Sequence, residues 1–98
     1  MTSKERAALR AQANTIETTL IVGKGGVSEQ VLQEASNLLD AHELIKGKVL
    51  ESAMLTPRTV SEALCEATGA DAVQCIGSKF VLYRQSSDED KRKIVLVK

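Results

Sequence analysis

The stretch Thr18-Thr19-Leu20-Ile21-Val22-Gly23-Lys24-Gly25-Gly26-Val27-Ser28-Glu29 passes from a short β-branched, apolar run through three glycines in four positions to a helix start. Thr18 to Val22 is short and apolar at its end, with glycines directly after it, which favours a buried strand over a helical turn. Ser28 is a good N-cap, Glu29 sets an anion on the first turn, and Val27 can staple onto Leu32. Strand, glycine loop (Gly23 to Val27) and helix follow one another here, and the rest of the chain is read around them.

Upstream, Thr2 followed three residues later by Glu5 reads as a capping box that opens an Ala-rich helix from Ser3 to Ala13, with Lys4, Arg6 and Arg10 on its polar side. Downstream, Val31, Leu32, Ala35, Leu38, Leu39 and His42 recur at the spacing of one helical face, and Glu29, Glu34 and Asp40 occupy the other. Leu44 to Leu50 alternates with period two, sending Lys46 and Lys48 to one side of a strand and Ile45 and Val49 to the other. Thr56 caps a third helix with Pro57 at its first position. Val60, Ala63, Leu64 and Ala67 form its stripe, and Gly69 suits a left-handed stop.

Ala72 to Ile76 and Lys79 to Arg84 flank Gly77-Ser78, a two-residue loop of the kind that joins a tight antiparallel hairpin. Pairing Ile76 with Lys79 predicts Val73, Cys75, Phe80 and Leu82 on a core face, with Gln74, Lys79, Val81 and Tyr83 on the other. Ser86 to Lys93 is a polar linker by composition, and Ile94 to Val97 reads as a short edge strand. The expected organisation is one domain over residues 1–85 and a polar tail over 86–98. Its fold class is an α/β sandwich of order α-β-α-β-α-β-β, with a mixed four-stranded sheet and the helices on one face. The other face stays open and carries Lys46, Lys48, Lys79 and Gln74.

With 98 residues, 43% of them hydrophobic and 27% charged, the chain suits one modest core and is neither disordered nor membrane-like in composition. Its longest apolar runs are far below the roughly 20 residues that cross a bilayer. No apolar signal segment follows Met1, so a cytoplasmic protein without membrane contact is expected. Cys65 and Cys75 have no framework spacing, which fits two buried thiols in a reducing compartment. Thirteen Lys plus Arg balance thirteen Asp plus Glu, so a nucleic-acid partner must be argued from where the charges sit.

The glycine loop is the main chemical signal. Its backbone can approach a ligand closely, the helix behind it adds the positive end of a dipole, and Lys24 adds a full charge, so a phosphate is the natural guest. A tight turn that needs positive φ would call for the same glycines. The nucleotide-triphosphate loop is excluded because Lys24 precedes the last two glycines, and the dinucleotide pattern G-x-G-x-x-G fails at Ser28. The spacing Gly23-Lys24-Gly25-Gly26 does match the G-x-x-G that clamps a single-stranded RNA backbone in KH modules.

No metal-ligand spacing, cofactor motif or catalytic constellation is visible, so an enzyme is not expected. His42 reads as a favourable cation at a helix C-terminus. With Phe80 and Tyr83 as the only aromatics, Tyr83 reads as packing and not as a stacking platform. Arg84 could reach a phosphate or a carboxylate with equal ease.

Several ordered motifs carry a family resemblance over Ser3 to Arg84: Gly23-Lys24-Gly25-Gly26, His42-Glu43-Leu44-Ile45-Lys46, Glu66-Ala67-Thr68-Gly69-Ala70, Gln74-Cys75-Ile76-Gly77 and Val81-Leu82-Tyr83-Arg84. In these the chain resembles bacterial YhbY-type proteins, the stand-alone members of the CRM domain family (chloroplast RNA splicing and ribosome maturation). The resemblance implies a fold similar to the C-terminal domain of the third translation initiation factor. It also implies an RNA-binding role with precursors of the large ribosomal subunit, and RNA contact through Gly23, Lys24, Gly25 and Gly26. Read from the residues, the supporting cations are Lys4, Arg6 and Arg10 of the first helix, Lys46, Lys48 and Lys79 of the open sheet face, and Arg84. The expected protein is a monomer that binds large-subunit ribosomal RNA or a pre-ribosomal particle. The alternative is a protein-interaction module that docks a ribosomal or assembly protein on its acidic helix faces and the 94–97 edge.

Overall fold

The computed structural model describes residues 2–86. Its elements are α1 (Ser3–Ala13), β1 (Thr18–Val22), α2 (Glu29–His42), β2 (Leu44–Val49), a 3-10 turn (Glu51–Ala53), α3 (Pro57–Thr68), β3 (Asp71–Ile76) and β4 (Lys79–Tyr83). Local chemistry sets most of these ends. Thr2 Oγ1 accepts the Glu5 N–H at 3.1 Å while Glu5 Oε1 accepts the Thr2 N–H at 3.0 Å, a closed capping box. Ser28 Oγ accepts from Val31 N at 3.2 Å and Thr56 Oγ1 from Thr59 N at 3.1 Å, so each hydroxyl satisfies a first-turn donor. Gly69, at φ 76°, closes α3 as expected. The end of α2 is less expected, because Glu43, not a glycine, takes a positive φ of 65° with ψ −43°, outside the left-handed helical region.

The sheet is mixed, in the order β1-β2-β4-β3, with β1 parallel to β2 and both other pairs antiparallel. Ile76 pairs with Lys79, and Gly77 at φ 58° provides the positive first corner of the two-residue hairpin turn. On one face Leu20, Val22, Ile45, Val49, Phe80 and Leu82 meet Ala35 and Leu39 of α2 and Val60 and Leu64 of α3. Gly47 is required in this layer. A methyl group there would lie 2.6 and 2.7 Å from Cε2 and Cε1 of Phe80 and closer still to Cζ.

The expectation that all helices share one face is corrected. Leu9 and Ala13 of α1 pack on the opposite face, against Leu44, Val73, Val81 and Tyr83, in a second small core. Alternation explains it, since Leu44, Val81 and Tyr83 share the side of the lysines and leave an apolar patch that α1 covers. The sheet face expected to be open is therefore open at one end only.

A register shift between Ala72 and Gln74 corrects a second expectation. Val73 is the extra residue of this irregularity and belongs to the α1 core with Val81 and Tyr83, instead of joining Phe80 and Leu82. Cys75, expected to be buried, is exposed, and Cys65 is half-buried. Burial pushes the Cys65 thiol above its ordinary value, against the lowering effect of the neighbouring Ser61 hydroxyl.

After β4 the chain stays attached. Arg84 N donates to the Glu43 carbonyl at 2.9 Å, Ser86 N to Glu43 Oε2 at 2.8 Å, and Ser86 Oγ to the Asp40 carbonyl at 2.7 Å. Ser86, expected to open the polar linker, is thus buried, as is the Glu43 carboxylate it meets. Residues 87–98, with the expected edge strand Ile94 to Val97, lie outside the described residues. Among the described residues no helix is long and apolar enough to cross a membrane.

Candidate nucleic-acid interface

Strand directions gather the connections. Val22 at the end of β1 pairs with Val49 at the end of β2, and Lys48 pairs with Lys79 at the start of β4, itself opposite Ile76 at the end of β3. The glycine loop, the segment 50–56 and the hairpin turn 77–78 therefore lie at one end of the sheet. Both α2 and α3 begin there, so two positive helix termini point the same way.

Within the loop, Gly26 N donates to the Gly23 carbonyl at 2.8 Å, which places Lys24 and Gly25 at the exposed corners of a tight turn. Gly26 has φ 63°, a conformation that favours glycine over residues with a side chain. The turn reading and the cradle reading are thus compatible: one glycine makes the turn and another leaves the corner bare. The N–H groups of Lys24 and Gly25 take no partner among the described residues. The loop leans on segment 50–56, since Leu50 N donates to the Val22 carbonyl at 2.9 Å. A methyl at Gly23 would sit 3.5 Å from Leu50 Cδ1, and one at Gly26 would sit 3.5 Å from Leu55 Cδ1.

On the α1 side of the sheet the register aligns one residue from each strand beside this end, in the row Ile21, Lys48, Lys79, Ile76. Lys46 stands one row behind, across from Val81 and Gln74. Lys79 is exposed and Lys46 and Lys48 are half-exposed. None of these three lysines, nor Lys24, is in an ion pair among the described residues. The fold thus brings Lys24, Lys48 and Lys79 to one end of a chain with no net charge, with Glu29 and Glu51 the nearby carboxylates on the adjoining segments.

The remaining expected cations are placed elsewhere. Lys4, Arg6 and Arg10 are exposed on α1. Arg6 lines a groove at the β3 edge with Arg58, Glu62, Gln74 and Cys75. That edge is three strand spacings from β1, about 15 Å at the usual ~4.8 Å each. Arg84 is at the opposite end of the sheet and is engaged. Its Nη1 donates to the Thr68 carbonyl at 2.8 Å, and its Nη2 donates to the Ser36 carbonyl and to Asp40 Oδ1, both at 3.0 Å. It ties α2 to the end of α3, a role that sequence reading missed because its partners lie up to 48 residues away. The residues of segment 50–56 were missed as well; their signal is Met54-Leu55, two apolar residues just before a helix cap.

His42 is exposed in the last turn of α2, and Tyr83 is buried in the α1 core as packing. Among the described residues no three His, Cys, Asp or Glu side chains gather to hold a metal.

Comparison with known proteins bears on the family and the fold. The CRS1/YhbY (CRM) domain model matches residues 1–84. The chain is 35% identical over 88 residues to the "Probable RNA-binding protein YqeI" of Bacillus subtilis, covering 90% of this chain and 92% of the relative. It is 35% identical over 88 residues to an RNA-binding protein of Haemophilus influenzae, covering 90% and 89%. The solution structure of SAV1595 from Staphylococcus aureus superposes with a TM-score of 0.74 at 31% identity, over 97% of this chain and 99% of that one. On the sequence match and the superposition, the chain belongs to the CRS1/YhbY (CRM) domain family.

Proposed function

We propose that this chain is a non-catalytic RNA-binding protein that holds a phosphate backbone on the Gly23-Lys24-Gly25-Gly26 loop. One observation carries the reading: the bare corner Lys24-Gly25, with two unpartnered N–H groups, stands before the N-terminus of α2 and beside unpaired lysines. Backbone donors and a helix dipole suit an oxyanion, and a row of cations extends the attraction along a polymer. The names of the relatives support RNA as that polymer. Family resemblance supports large-subunit ribosomal RNA in a pre-ribosomal particle, and hence a cytoplasmic assembly factor.

Gly25 makes the test clean, because its added Cβ meets nothing within 4 Å and its φ is not positive. Gly25→Asp therefore fits without strain while placing a carboxylate where the phosphate belongs. Combined with Lys24→Ala it is expected to abolish binding of a ribosomal RNA fragment in filter assays, while Lys24→Ala alone lowers the salt slope by about one unit. Unchanged affinity in a double variant of normal circular dichroism refutes the proposal.

A further inference from the structure

The large hydrophobic side chains exposed among the described residues are Ile21, Leu50, Met54, Leu55 and Ile76. All five lie at the end of the sheet that carries the glycine loop, an unusual gathering for a small soluble domain. Met54 is the extreme case at 89% exposed. The segment that presents it begins on the last carbonyl of β1, and its Leu50 and Leu55 side chains face Gly23 and Gly26 closely enough that a methyl group added at either glycine would meet them at 3.5 Å. Apolar surface and phosphate-binding surface are therefore adjoining walls of one site.

We propose that Leu50, Met54 and Leu55 receive the face of an unpaired base, and that the chain consequently binds single-stranded RNA in preference to duplex. The inference rests on the proposed backbone contact. Charge complementarity selects the occupant. The apolar wall is next to Lys24 and two helix N-termini, a pairing that suits a ligand alternating phosphates with flat apolar rings. In a duplex those rings are stacked inside, and the surface offers phosphates, sugars and base edges but no ring faces. A thioether is polarizable and packs well on the edges and faces of rings, which suits Met54 to an unspecified base.

Met54 has φ 57°, a conformation glycine adopts without cost. Met54→Gly therefore removes the side chain while leaving the backbone at ease, and Met54→Leu keeps the apolar surface. The experiment measures fluorescence anisotropy of an unstructured RNA 12-mer, and of the same strand annealed to its complement, across salt concentrations. Met54→Gly is expected to weaken the single strand by roughly two- to tenfold, the span of a sulfur–ring contact. Its duplex affinity and salt slope should not change, and Met54→Leu should bind nearly as the parent. In the same assay Lys24→Ala lowers affinity and slope for both ligands. If Met54→Gly keeps full single-strand affinity while Lys24→Ala loses it, the base contact is overturned and the backbone reading survives. If neither variant loses affinity, both readings fall. Equal weakening of single strand and duplex by Met54→Gly also overturns the inference.

Discussion

Gly47→Ala should lower stability sharply, and by less in a Phe80→Leu background. The new methyl carbon would stand 2.6 Å from Phe80 Cε2 and 2.7 Å from Cε1, against an optimum carbon separation of about 3.5–4.0 Å. The ring must retreat by about 1 Å, yet Phe80 is 0% exposed and enclosed by a packed layer, so it has nowhere to go. Inserted methyl groups in such cores cost about 1–3 kcal/mol, and this contact belongs at the upper end. At about 4–8 °C per kcal/mol for a domain of this size, the melting temperature should fall by about 10–20 °C. Phe80→Leu alone should cost less than the ~3–5 kcal/mol of a Phe→Ala change. In the double variant the smaller side chain makes room for the methyl, so the combined loss should be smaller than the sum of the single losses. Thermal and urea denaturation of the four proteins measure this cycle. Because position 47 faces away from Lys46 and Lys48, RNA affinity of folded Gly47→Ala should match the parent. Additive losses, or an unchanged melting point for Gly47→Ala, would refute the packing described here.

Arg84→Ala removes donors to Thr68, Ser36 and Asp40 from a side chain 20% exposed, and should cost about 2–4 kcal/mol in urea denaturation. Arg84→Lys should recover less than half of this, since an ammonium cannot match the fork, and RNA affinity of either folded variant should not change. At pH 8, iodoacetamide should modify Cys75 well before Cys65 in peptide mass mapping: one thiol is exposed, whereas the other is half-buried with a raised pKa and so holds less thiolate at that pH. Equal rates would contradict the placement of the two cysteines.

Element boundaries were readable because caps are local. Thr2 with Glu5, Ser28, Thr56 with Pro57, and Gly69 each satisfy donors or φ requirements within a few residues. The glycine loop was readable for the same reason. What escaped was set by partners far away in the chain. Period-two alternation in β2 separates Lys46 and Lys48 from Ile45 and Val49, but it does not tell which helix will cover Leu44. The shift at Val73 inverts part of β3 without any glycine or proline to mark it. The buried carboxylate of Glu43 gains its meaning only when Ser86 returns to it across 43 residues. Arg84 looks from sequence like any strand-ending cation, and only its bonds to α2 and to the last residue of α3 show its work.

The tie between Ser86 and Glu43 gives the molecule a polarity of use. Glu43 stands at the start of β2, whereas the glycine loop stands beside its finish, so the described chain departs from the pole farthest from the loop. A dye, affinity handle or second domain joined after Ser86 would begin about one strand length, ~20 Å for six residues, from Lys24, and would leave that end free to meet a bulky particle.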